Sequence, residues 1–198
     1  MSANLPQSSP REGLTFAKLW RFLSLPFCPE DLKTWFAVNR FEDISIDLLR
    51  KEGIEGVLLD VDGTLCPHHA REFSASVTQH VMAMKSNGLK VAIFTNAMDD
   101  RFEVFPGVKV VTEVPAKPDS AGFKKAMTDF LEIKNPDKVC MIGDNYLTDG
   151  GAISVGMRFI HVQPIDGNET LIHSATRSFG LFCARLHTPE IFRTVGPR

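Results

Sequence analysis

Apolar residues along this chain fall into two alternating patterns. Five nearly continuous apolar runs, Ile54–Asp60, Leu89–Asn96, Val108–Glu113, Lys138–Asp144 and Met157–Val162, are bounded by polar residues. Such runs suit short strands covered on both faces. Between and after them, Ser74–Lys85, Ser120–Leu131, Thr148–Val155 and Thr170–Leu186 carry apolar residues at mixed three- and four-residue spacings, which predicts helices, with Gly88 closing the first. Strands that alternate with helices imply right-handed crossovers. The expected fold is therefore α/β: a doubly wound, Rossmann-like parallel sheet with helices on both faces. In such a sheet a ligand sits beyond the carboxyl ends of the strands, where the strand order reverses.

The N-terminal part reads differently. Residues 1–13 are rich in Ser, Pro and polar side chains with no apolar period, and are expected to form a flexible arm. In the amphipathic segment 14–40, Leu14–Leu25 predicts a helix with Phe16, Leu19, Trp20 and Leu23 on one face and Lys18 and Arg21 elsewhere, broken by Pro26 and Pro29. That apolar face could dock on the sheet. Alternatively, it could lie on a membrane with Lys18 and Arg21 near anionic headgroups. A further helix near Asp43–Glu52 ends at Gly53, and residues 41–198 make up the expected α/β domain.

Composition narrows the picture. At 198 residues, with 43% hydrophobic and 23% charged residues and a net charge of -2, the chain has length for one core and no basic excess to suggest nucleic acid. Cys28, Cys66, Cys140 and Cys183 form no C-x-x-C pair, which argues against a zinc cluster or disulfide framework. No apolar run approaches the roughly 20 residues needed to span a bilayer, and no signal core opens the chain, so the expected location is the cytoplasm.

Candidate chemistry gathers at the predicted strand ends. The first run leads into Asp60-Val61-Asp62-Gly63-Thr64, so two carboxylates two residues apart leave the sheet together, and Gly63 allows an immediate turn. The second strand ends in Thr95-Asn96, Lys117 lies beyond the third, and the fourth ends in Asp144, followed by Asp149. This inventory suits phosphoryl transfer. Asp60, Asp62 and Asp144 are the candidate Mg²⁺ set, and Lys117 with the metal would neutralise the charge between an anionic nucleophile and an anionic phosphate. Asp60 can attack phosphorus to give an aspartyl-phosphate, and Asp62 can act as acid and then base. Thr95 and Asn96 are expected at the phosphate, and Asp149 is expected to orient Lys117 or a metal-bound water. His68 and His69 follow the nucleophile loop and could contact substrate, but adjacent histidines in a loop read rather as solvated, and neither is expected as a metal ligand. Cys66 has no C-x₅-R loop to make it a phosphatase nucleophile.

In this order, DVDGTL, FTN, AKP and GDNYLTD resemble the four motifs of the haloacid-dehalogenase-like phosphatase superfamily. The resemblance covers about Phe41 to Val162 and implies that fold, Mg²⁺ dependence, and nucleophile and acid/base roles for Asp60 and Asp62. Through FEDISIDLLRKEGIEGVLLDVDGTLCP, AKP and the later PI segment, the chain is similar to the YqeG-type branch and its phosphatidylglycerophosphate phosphatases. Gly63 stands where that branch often has Asn. Short connections between the motifs leave no room for a cap domain, and capless members have open sites, which favours a large substrate such as a lipid and fits peripheral membrane contact. Two alternatives keep the same fold: a phosphatase for protein, sugar or nucleotide phosphates, and a catalytically silent scaffold.

Overall fold

The computed structural model describes residues 16–68, 70–97, 101–167 and 169–193; the expected N-terminal arm and His69 lie outside them. Six strands form one sheet: β1 (Phe36–Val38), β2 (Gly56–Leu59), β3 (Lys90–Ile93), β4 (Lys109–Val110), β5 (Val139–Gly143) and β6 (Arg158–Val162). Their order is β1-β6-β5-β2-β3-β4, and every pairing is parallel. The α/β expectation holds. The order reverses between β2 and β5, so the residues following these two strands face one another across the switch point.

The continuous apolar runs are explained by burial on both sheet faces. Leu58 on β2 points into a core with Phe94, Phe123, Met141, Tyr146 and Phe159. Its neighbours Val57 and Leu59 point into a second core with Val91, Ile93, Ile142 and Ile160. This is the two-residue period of a strand with both sides covered. Removing each large aliphatic side chain from water contributes about 1.5–3 kcal/mol, set against the entropy of ordering it.

Five helices cover the faces: α1 (Phe16–Ser24), α2 (Ile46–Lys51), α3 (Ala75–Ser86), α4 (Ser120–Lys125) and α5 (Leu171–His187). Ser45, Ser74 and Thr170 cap α2, α3 and α5 by accepting a hydrogen bond from a backbone N–H of the first turn. Two expected α-helices differ in winding. The second half of Ser120–Leu131 is a π turn over Ala126–Phe130, and Asp149–Val155 is a 3₁₀ helix. At the latter, Gly151 approaches so closely that an added Cβ would meet Pro118 O at 2.6 Å and Phe123 Cε2 at 2.7 Å.

The N-terminal segment supplies β1, an edge strand too short to give a period in the sequence, which pairs with β6. Helix α1 turns the expected way round only in part. Arg21 is buried, Phe22 packs on Phe179 of α5 with ring centroids 4.7 Å apart, and Leu25 joins the core. Leu19, Trp20 and Leu23 remain exposed. Arg21 is thus not placed for headgroups: its Nε donates to Tyr146 O at 3.0 Å and its Nη2 to Asp31 O at 3.2 Å. Those carbonyls outcompete the apolar stripe for the inward face.

Candidate active site

Asp60 follows β2 directly, and its N–H extends the ladder by donating to Ile142 O at 2.9 Å. Asp144 follows the neighbouring β5, and Asp149 opens the 3₁₀ helix beyond it. One carboxylate oxygen from each of these three acids lies within 4.8 Å of the others, and all three residues are buried. Lys117, beyond β4, is 2% exposed, and its Nζ donates to Asp60 Oδ1 at 2.5 Å and Asp149 Oδ1 at 2.6 Å. Asp149 Oδ2 accepts the Asn145 N–H at 3.1 Å, which fixes this carboxylate from both ends.

Gly63 is required by its surroundings. Its φ is +85°, and an added Cβ would stand 2.5 Å from Asp144 Oδ2. The backbone therefore takes the left-handed turn that swings the chain away from the acids and leaves the Asp144 carboxylate its space.

Thr95 and Asn96 follow β3. Thr95 is buried, and its Oγ1 accepts the Ala97 N–H at 3.1 Å. The Asn96 amide spans the Lys117 backbone, with Oδ1 accepting Lys117 N–H at 3.0 Å and Nδ2 donating to Lys117 O at 3.1 Å. Asn96 thereby positions Lys117. Asp62 stands apart from the three clustered acids. Both its carboxylate oxygens accept from Arg101 Nη2 at 2.9 Å. Of the expected metal set, the structure groups Asp60 and Asp144 and adds Asp149, while holding the Asp62 carboxylate on Arg101.

Electrostatics follow from this packing. Burial alone would lower the Lys117 pKa, but Asp149 and Asp60 more than reverse it and raise it. Burial, then Asp60 and Asp149, hold Asp144 well above the usual carboxylate range, although Arg177 Nη1 donates to its Oδ2 at 3.1 Å. Burial, then Asp60, push Asp149 up to about 7 against the pull of Lys117. With all three ionised, the buried carboxylates would outnumber the two cations that touch them, and a hard divalent cation would relieve that repulsion through carboxylate oxygens. The donor set fits Mg²⁺.

Three residues outside the motifs complete the surroundings. Arg101 and Arg177 hold Asp62 and Asp144, and Glu169 accepts from Arg177 Nη2. No motif spacing announces Arg101. Glu169, His173 and Arg177, however, are each four apart, and His173 and Arg177 share one face of the predicted closing helix, with Glu169 just before its start. His68 differs from its solvated expectation: it is largely buried, 3.7 Å from Glu169 Oε2. Burial, with His173 next to it, lowers its pKa. Cys66 is also buried, its Sγ 3.5 Å from Arg101 Nη1.

A model of the family described as mitochondrial PGP phosphatase matches residues 29–157. The chain belongs to that family. It is a phosphatase of the haloacid-dehalogenase-like type. A relative named "Probable phosphatase YqeG", from Bacillus subtilis (strain 168), is 28% identical over 150 residues, spanning 74% of this chain and 83% of that protein. Among solved structures, an uncharacterized protein from Listeria monocytogenes serotype 4b has a TM-score of 0.45 at 20% identity, covering 60% of this chain and 85% of its own. Another, from Corynebacterium glutamicum, has a TM-score of 0.43 at 20% identity, covering 66% and 96%. In the phosphatase, β2 and β3 are joined through α3, and a 3₁₀ turn at Arg101–Val104 lies between β3 and β4. Among the described residues no cap domain intervenes.

Proposed function

We propose that this phosphatase hydrolyses a phosphomonoester with Mg²⁺ through an aspartyl-phosphate on Asp60, and that its substrate is phosphatidylglycerophosphate. The observation that carries the mechanism is the Lys117 bridge. It occupies Asp60 Oδ1 and leaves the other carboxylate oxygen for phosphorus. That oxygen forms the new P–O bond as the bond to the leaving oxygen breaks, and Asp62, released from Arg101 and protonated, supplies the proton. In the second step Asp62 takes a proton from water, whose oxygen displaces Asp60 from phosphorus and gives free phosphate. Thr95 and Lys117 face the phosphate oxygens, while Asn96 keeps Lys117 in register. Mg²⁺ held by Asp60, Asp144 and Asp149 would supply charge neutralisation at the phosphate.

The lipid substrate is supported by the family match and by the absence of a cap among the described residues. A peripheral membrane contact is part of this reading. Trp20 is 65% and Phe27 83% exposed, and Leu23, Phe182 and Leu186 add apolar surface where α1 and the 3₁₀ turn after it meet α5. No described helix is long and apolar enough to cross a membrane.

The test is phosphate release with Mg²⁺ from phosphatidylglycerophosphate, a phosphopeptide, a sugar phosphate and a nucleotide. Release is expected from the lipid and is expected to vanish in folded Asp60→Asn. Activity surviving in that variant would remove Asp60 as nucleophile. Preference for another substrate would remove the lipid, and no release at all would favour the scaffold alternative.

A further inference from the structure

Beside the acid cluster, the loop that follows the first acid pair meets the segment leading into α5. His68 on the loop, Glu169 before the helix and His173 in its first turn each offer one ligand atom within 4.8 Å of the others. Glu169 Oε2 lies 3.0 Å from His173 Nδ1 and 3.7 Å from His68 Nε2. The two imidazoles stand edge to face with centroids 4.8 Å apart. Ligands about 2.0–2.1 Å from a tetrahedral zinc ion are roughly 3.3 Å from one another. The two separations to Glu169 bracket that value, and the two imidazole nitrogens lie within 4.8 Å of each other, so all three groups face one common point.

The backbone permits this convergence at one glycine. A Cβ added to Gly167 would stand 2.7 Å from His68 N and 3.2 Å from Pro67 Cβ, so any larger residue would force the two segments apart. Thr170 Oγ1 accepts the His173 N–H at 3.3 Å and fixes the first turn of α5. The second Glu169 oxygen is held by Arg177, whose other nitrogen reaches Asp144. Glu169 is therefore oriented from behind, in the way that outer partners orient ligating carboxylates.

We propose that His68, Glu169 and His173 form a site for a borderline divalent transition ion, with zinc as the type, distinct from the all-oxygen set at Asp60, Asp144 and Asp149. Two imidazoles and a carboxylate suit zinc, whereas magnesium takes oxygen ligands. Three protein ligands leave a fourth position for water. The bound ion clasps the loop carrying His68 to the start of α5, and Glu169–Arg177–Asp144 ties that clasp to the catalytic acids. The site stands on these side chains alone and does not depend on the substrate or on the Asp60 mechanism.

The experiment is titration of the metal-free, full-length protein with Zn²⁺ in excess Mg²⁺ against a chromogenic chelator, alongside visible absorption with Co²⁺. About one Zn²⁺ per chain is expected, with a cobalt d–d band of four- or five-coordinate intensity and a Tm that rises on adding zinc. Loss of a direct ligand should cost at least what loss of an outer partner costs, about tenfold in affinity. His68→Gln and His173→Ala should therefore each weaken zinc binding by that factor or more and abolish the cobalt band, while Asp60→Asn keeps both. Circular dichroism establishes folding, and the isosteric Glu169→Gln carries the test if a histidine variant fails to fold. No bound zinc, or affinity unchanged in the histidine variants, would overturn the site. Zinc lost in Asp60→Asn would move the ion to the acid cluster and overturn it equally.

Discussion

Lys117 and His161 are buried to nearly the same degree, 2% and 0% exposed, yet the protein treats their charges in opposite ways. Lys117 has two carboxylates within hydrogen-bond reach and keeps its proton with a raised pKa. His161, on β6, stacks on Tyr146 with centroids 5.4 Å apart and meets the edge of Phe192 at 5.7 Å. Neither of its ring nitrogens has a hydrogen-bond partner among the described residues. Burial, then Arg185 and Arg177 from α5, drop its pKa to about 3. Burial sets the cost of charge in both places. The partners decide whether the charge stays, and only the paired site has a charge to use in chemistry.

The largest effect should come from removing the paired cation. Lys117→Met leaves Asp60 and Asp149 buried without it, and breaking a buried pair this way costs about 3–5 kcal/mol. Phosphate release should fall about 10²–10³-fold, the scale for losing a group that stabilises developing charge. Urea unfolding in metal-free buffer and kcat measure the two losses. Adding Asp149→Asn should restore about 1–2 kcal/mol by removing one orphaned acid. A Lys117→Met protein as stable as the wild type would mean that the acids do not rely on this lysine.

His161 tests the other half of the comparison through pH. The unfolded state titrates near the ordinary value of 6.5 and the folded state at about 3. The unfolded chain therefore takes up the proton first, and stability is lost as pH falls below about 6.5, down to the folded value. At a pH of about 4.5 this one group costs about 2–3 kcal/mol. His161→Phe should flatten the urea midpoint against pH across that window. An unchanged slope would assign the acid sensitivity to other groups.

Much of this site is legible in the amino-acid sequence alone. Asp60, Thr95 and Asp144 stand at the ends of predicted strands and Lys117 lies beyond another, and a doubly wound sheet gathers such positions at one edge. What escapes is set by side chains meeting across long separations. The grip of Arg101 on Asp62, 39 residues away, leaves no periodic trace. Asp149 is expected behind the acids and lies among them, because a 3₁₀ helix brings it back under Gly143, where an added Cβ would collide with its carboxylate. His68 reads as solvated because local composition cannot show Gly167 pressing on its backbone. Strand β1 escapes because three residues are too few to display alternation.

Arg21 extends the comparison to a buried cation whose close partners are neutral. Its guanidinium reaches two carbonyls and Ser154 Oγ at 3.0 to 3.2 Å, with the Asp31 carboxylate farther off at 3.7 Å. Burial lowers its pKa, with Asp31 opposing, a direction opposite to that of Lys117. Arg21→Met keeps the apolar stem and removes the donors. It should cost less than Lys117→Met, about 1–3 kcal/mol, because carbonyls left without a donor lose hydrogen bonds rather than a counter-charge. Phosphate release should change little if the helix stays docked through Phe22 and Leu25. The readout is urea unfolding together with Trp20 fluorescence in a Trp35→Phe background, which leaves Trp20 on α1 as the one indole. A loss as large as that for Lys117→Met would show that neutral partners hold a buried cation as strongly as carboxylates do, and the distinction between Lys117 and His161 would fail.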